Sequence, residues 1–352
     1  MDLDEGPDVE EIDDGDLAVD SKLGSFVTAG KPFQGTIKDF TPFNAKEDAK
    51  KLRKAIKGLG TDDKTVINIL TKRSQRQRQE IAEAYKTLFG KNLEKSIKGD
   101  FSGTTKKALV ALLYPREVYS AILLHRALRR VGTNLGGVAE VLCTLTPEEL
   151  EMVKKAYQKR YKKDLYKTIS RDTSGDVKLL LLEYIKGNRM GPRSSQEIEE
   201  DAKILQKNGF KSIGGKDGVA QLLSTRNQQD LQKIFAQYQE ITKKNLLTEI
   251  TAEKALRVSK AGKLKKVLRN LVQCINNPPE YFAKRLRASV KGAGTNDRRL
   301  LRILVARSEI DLEAIKEAYQ KLYGKPLKKD VDSDTSRKFK KVLDALIDGN
   351  VK

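Results

Sequence analysis

Lys57-Gly58-Leu59-Gly60-Thr61-Asp62-Asp63 returns later in the chain as Lys291-Gly292-Ala293-Gly294-Thr295-Asn296-Asp297. Twelve residues after each threonine stands an Arg-Ser pair, Arg73-Ser74 and Arg307-Ser308, and 24 residues after it a tyrosine, Tyr85 and Tyr319. Segments that agree at three separate offsets are copies of one unit. A third copy surrounds Val131-Gly132-Thr133-Asn134, with Tyr157 at the same offset. A fourth, weaker copy surrounds Ile213-Gly214-Gly215, with Ser-Thr-Arg ending at Arg226 and Tyr238 displaced by one residue. Around these loops apolar residues recur at spacings of three and four, as in Ile67, Leu70 and Leu301, Leu304, Val305, which is the period of a helix with one buried face. No stretch alternates with the period of a strand. Prolines fall between the periodic runs, at Pro42, Pro115, Pro192 and Pro278-Pro279. The expected architecture is all-α, with repeats over 36–114, 115–191, 192–277 (divergent) and 278–352 after a leader over 1–35.

The chain has 352 residues, 38% of them hydrophobic, enough to build a core and to exclude global disorder. No apolar run is long enough for a membrane-spanning helix, and the N-terminus lacks the pattern of a signal peptide, so a cytoplasmic protein is expected. Cys143 and Cys274 sit in apolar helical patterns without a CxxC partner and are expected to be buried, reduced thiols. The formal charge of +21 hides an asymmetry. Residues 1–20 hold ten acidic side chains and no Lys or Arg, which leaves 69 basic against 38 acidic side chains, a charge of +31, on the other 332 residues. Such a body attracts polyanions, while such a leader is expected to be disordered.

The Gly-x-Gly-Thr loops carry the chemistry. Each lies between two periodic helices, and the Thr-Asp or Thr-Asn that follows is a helix N-cap signal. Paired glycines let a tight turn aim several carbonyls at one point, an arrangement suited to a hard cation with oxygen ligands, chiefly Ca2+. Such a site also wants a carboxylate. One stands 39 residues after the threonine in three copies: Asp100, Asp172 and Asp334. The plain alternative makes these acids helix N-caps and the glycines a mere turn; the repeated spacing argues against it.

On the KGxGT loops with their distant acids, the sequence resembles the annexin family over roughly residues 36–350. Arg-Gln-Glu-Ile-Ala-Glu-Ala-Tyr (78–85) and Ser-Glu-Ile-Asp-Leu (308–312) are similar to that family's text as well. The resemblance implies a curved disc of four repeats of about five short helices, docking reversibly on acidic phospholipid through calcium. It further implies ligand sets. The first site would use the carbonyls of Ile56, Gly58 and Gly60 with Asp100, and the fourth those of Val290, Gly292 and Gly294 with Asp334. A weak auxiliary site would pair Thr61 with Asp63, or Thr295 with Asp297. In the second loop (Leu128, Arg130, Gly132, Asp172), Arg130 replaces a glycine and argues against a site that Asp172 favours. In the third (Gly209, Ser212, Gly214), Lys254 stands at the spacing, and only a one-residue shift brings Glu253 into register; no live site is expected there.

An enzyme is not expected: the one histidine, His125, lies in an apolar helical run, and no nucleophile, zinc or nucleotide motif is present. The competing reading is calcium-independent binding of heparin-like glycans or RNA through basic stretches such as Lys154–Lys163 and Lys260–Arg269. A protein partner for the leader, and self-association at a membrane, are left open by the sequence.

Overall fold

In the computed structural model the described residues are 35–57, 60–129, 133–210, 212–252, 259–291, 296–331 and 337–350. The acidic leader through residue 34 lies outside them, as do Gly58, Arg130, Gly132, Glu253, Gly292, Gly294 and Asp334. The described chain is all-α and divides into four groups of five helices. The first holds α1 (Ala45–Lys57), α2 (Asp63–Thr71), α3 (Gln75–Phe89), α4 (Leu93–Asp100) and α5 (Gly103–Leu113). The second holds α6 (Arg116–Leu128), α7 (Leu135–Leu142), α8 (Pro147–Tyr161), α9 (Leu165–Asp172) and α10 (Gly175–Lys186). The third holds α11 (Ser195–Asn208), α12 (Val219–Thr225), α13 (Gln228–Thr242), α14 (Leu246–Ala252) and α15 (Ser259–Asn276). The fourth holds α16 (Pro278–Val290), α17 (Asp297–Arg307), α18 (Leu312–Tyr323), α19 (Leu327–Val331) and α20 (Arg337–Asp348).

The repeated arginine does the same structural work in the first and third repeats. Ser74 caps α3 reciprocally with Gln77, and the preceding Arg73 makes a bidentate, buried ion pair with Asp48 at 2.6 and 3.1 Å. Arg226 repeats this with Asp201, also 25 residues upstream, at 2.6 and 2.9 Å. In the fourth repeat Arg307 turns to Asp311 instead. A buried guanidinium is tolerable only when its fork is filled in this way. The periodic tyrosines Tyr85, Tyr157, Tyr238 and Tyr319 are all core residues.

Inter-repeat packing pairs the first repeat with the fourth, through α2 and α5 against α17 and α20, and the second with the third, through α7 and α10 against α12 and α15. Two devices tie these units. Buried Glu140 on α7 accepts from Arg285 at 3.1 Å and from Arg302 at 2.9 and 3.0 Å, linking second and fourth repeats. The entering chain is the second: Ile37 N–H donates to the Ser308 carbonyl, Thr36 Oγ1 to that of Leu346, and Gln77 brackets both polar backbone groups of Phe40.

The cysteines differ from expectation. Cys143, at the C-cap of α7, and Cys274, in α15, are both buried but are joined in a disulfide, with Cα atoms 6.3 Å apart. Their separation of 131 residues hides a proximity that only the packing of α7 on α15 creates.

His125 is a core side chain. Its Nδ1 lies 3.0 Å from the Tyr157 hydroxyl, and its ring stacks on Tyr161 at 3.6 Å. Burial, then the cations Arg129, Lys163, Arg126 and Arg160, push its pKa down from 6.5 to about 4. Between those values the unfolded chain binds a proton that the folded chain refuses. Stability is therefore fully present above pH 6.5 and falls as pH drops toward 4. Solvent screening leaves a contribution on the order of 1–2 kcal/mol. Thermal melts over that window should show a shallower pH slope for His125→Gln; an unchanged slope would assign the acid sensitivity to other groups.

Candidate metal centres

Loops one, two and four close alike. The N–H of the residue after the threonine reaches back seven positions: Asp62 to the Ala55 carbonyl at 2.9 Å, Asn134 to Ala127 at 2.8 Å and Asn296 to Ser289 at 2.7 Å. The same residues cap the next helix, their side chains accepting from the N–H groups of Thr65, Gly137 and Arg299. The bond lands one residue before the first candidate ligand. Among the described residues no backbone N–H outside the helices engages the carbonyls of Ile56, Leu128 or Val290. Gly60 holds φ at +82°, a conformation that a side chain would strain.

The distant acids are placed by the ends of other helices. Asp100 is the last residue of α4 and Asp172 the last of α9; the N-caps of α5 and α10 are Ser102 and Ser174. The alternative in which these aspartates cap helices therefore fails. Asp100 is exposed, and its carboxylate meets no hydrogen-bond donor among the described residues. Asp172 is held by neighbouring Arg171, at 2.8 and 3.3 Å. In the second repeat loop and acid meet directly, because Thr133 Oγ1 donates to the Asp172 carbonyl at 3.2 Å across 39 residues.

The third loop is built differently. Gly209 ends α11, and the Ser212 and Ile213 carbonyls already accept from Val219 and Ala220 at 2.9 and 3.1 Å. A Cβ on Gly218 would stand 2.4 Å from the Gly214 carbonyl, an approach that only glycine permits and that the sequence reading passed over. Of the auxiliary acids, Asp63 is paired with Lys338 at 2.6 Å, and burial raises the pKa of Asp297. No group of three or more His, Cys, Asp or Glu side chains among the described residues could hold a metal. A cation here would depend on backbone oxygens with one carboxylate, which is hard-ion chemistry.

The annexin family profile matches residues 47–112, 119–183, 200–269 and 281–346, one segment in each group of five helices. The chain belongs to the annexin family. Annexin A5 of Cynops pyrrhogaster is 39% identical over 316 residues, covering 89% of this chain and 96% of the relative. The solved structure of annexin III superposes with a TM-score of 0.83 at 36% identity, covering 90% of this chain and 97% of that one. A calcium-bound annexin (Sm)1 does so at 0.80 and 30% identity, covering 90% and 94%. Annexins are non-enzymatic, calcium-dependent phospholipid-binding proteins. No described helix of this annexin is long and apolar enough to cross a membrane.

Proposed function

We propose that this annexin docks reversibly on acidic phospholipid in the cytoplasm when calcium rises, each of the units 36–114, 115–191, 192–277 and 278–352 presenting one loop. The principal ligands are the carbonyls of Ile56, Gly58 and Gly60 with Asp100, and those of Val290, Gly292 and Gly294 with Asp334. The observation that carries this reading is the Thr133–Asp172 bond, which joins a loop to the acid 39 residues on, taken with the common closure of loops one, two and four. Bound calcium supplies positive charge that lipid phosphate can share. The chain's own part is to hold carbonyls and one carboxylate at fixed helix ends. The second loop is a weaker candidate, since Asp172 must leave Arg171 to serve. The third is weaker still, because Ser212 already accepts a backbone bond and Glu253 lies outside the described residues. Co-sedimentation with phosphatidylserine vesicles tests the proposal: binding should require calcium and reverse with EGTA, and binding indifferent to EGTA would overturn it.

The leader bears on the same measurement. A segment of charge −10 tethered to a body of +31 competes with anionic surfaces at high effective concentration. Deleting residues 1–20 should strengthen calcium-independent binding to acidic vesicles several-fold at low salt, with the gain shrinking as exposed charges are screened within about 8 Å at physiological ionic strength. Equal binding by both chains at low salt would make the leader a solvating or partner-binding segment.

A further inference from the structure

Helix α1 carries Lys50, Arg53, Lys54 and Lys57 at i, i+3, i+4 and i+7, four cations on one face over about 10 Å of helix. With Phe89, the last residue of α3, they line an open groove of about 400 Å³. The underlying pair recurs through the repeats. Eight residues before and 28 after the loop threonine stand Arg53 and Phe89, His125 and Tyr161, and Arg287 and Tyr323. Arg53 lies 5.8 Å from the Phe89 ring centroid, His125 stacks on Tyr161, and Arg287 lies 5.3 Å from the Tyr323 centroid.

The repeats diverge in how that charge is balanced. In the fourth, Asp330 binds both Arg287 and Lys325, and Lys284 pairs with Glu280. In the first, the position in register with Asp330 is Ser96, which meets the Tyr85 hydroxyl at 3.3 Å and brings no charge. Among the described residues Arg53, Lys54 and Lys57 meet no carboxylate, and Lys50 has only the exposed Glu47. The first repeat thus lacks the neutralising acid and carries a ladder of cations. These side chains gather positive charge at one place on the surface, where their mutual repulsion is relieved by a bound anion.

The shape of the ladder selects the anion. The cations lie along a line in an open groove, so a single small phosphate engages only one or two of them. Its one aromatic ring is already covered by Arg53, which leaves no platform on which successive bases could stack, as single-stranded nucleic acid requires. We propose that this groove is a calcium-independent binding site for a linear sulfated glycan, with sulfate groups on Lys50, Lys54 and Lys57 and the Arg53–Phe89 pair as its floor. The site is independent of the loop carbonyls and does not rest on the calcium reading.

Calorimetry of the full chain with a heparin octasaccharide in EGTA tests this. Lys50→Ala with Lys54→Ala should weaken binding at least tenfold and reduce the slope of log affinity against log salt by about two, the number of cations removed. Lys284→Ala with Lys291→Ala, the same charge change in the fourth repeat at the positions in register with Lys50 and Lys57, should change affinity less than twofold. Equal weakening by both pairs would replace the groove with diffuse attraction to the whole body. Binding of a uridine decamer or inositol hexakisphosphate tighter than the glycan, with the same sensitivity to the first pair, would overturn the ligand class. Calcium-dependent vesicle binding by the first pair separates this outcome from failure of the proposed function.

Discussion

Replacing Asp100 and Asp334 together by alanine is expected to raise the calcium needed for half-maximal binding to phosphatidylserine vesicles by an order of magnitude or more. Each acid supplies the only full negative charge in its proposed ligand set, and carbonyl dipoles alone hold a divalent cation weakly. The fold should survive. Asp100 ends α4 on the exposed surface with no hydrogen-bond donor on its carboxylate among the described residues, so its removal strands no buried partner. Thermal melts of the double variant should therefore match the parent within about 1 °C in EGTA, while the calcium titration moves. A titration that stays in place would remove both acids from the site.

Reduction of the Cys143–Cys274 disulfide should lower the melting temperature by roughly 5 °C or more. Closing a loop of 131 residues restricts the unfolded chain strongly, and disulfides closing long loops contribute roughly 3–5 kcal/mol on the entropy account. For a domain of this size each kcal/mol moves the midpoint by about 2 °C. Cys143→Ala with Cys274→Ala should melt at the same temperature with and without dithiothreitol, near that of the reduced parent. If reductant leaves the parent's midpoint unchanged, packing of α7 on α15 holds the second and third repeats together without help from the bond. Both sulfur atoms are buried, so reduction should proceed slowly below the transition.

The proposed loop ligands and the groove on α1 differ in how far they could be read beforehand. The acids at 39 residues were legible because a repeat turns one physical requirement into three copies of one spacing. What the spacing could not show was that Arg171 would occupy Asp172, or that the Ser212 carbonyl would be taken by Val219. Both are local bonds that compete for the groups a cation would use. The groove went unread for the opposite reason. A row of lysines on a helix looks the same whether carboxylates face it or not, and only the comparison of Ser96 with Asp330, each brought alongside by a neighbouring helix, distinguishes the first repeat from the fourth.

By itself the sequence determined the helical period, the four copies, the capping residues Asp62, Asn134 and Asn296, the recurring tyrosines and the family. All of these depend on interactions within a few turns of helix, or on repetition of one unit, and both leave a regular signature along the chain. Only the tertiary structure decided that Cys143 and Cys274 meet, that Glu140 binds Arg285 and Arg302 of the fourth repeat, and that Thr36 and Ile37 tie the entering chain to the last helices. Those contacts join residues 131 to 310 positions apart. Their partners are chosen by which helix faces remain apolar after each repeat has folded, and no spacing along the chain records that choice.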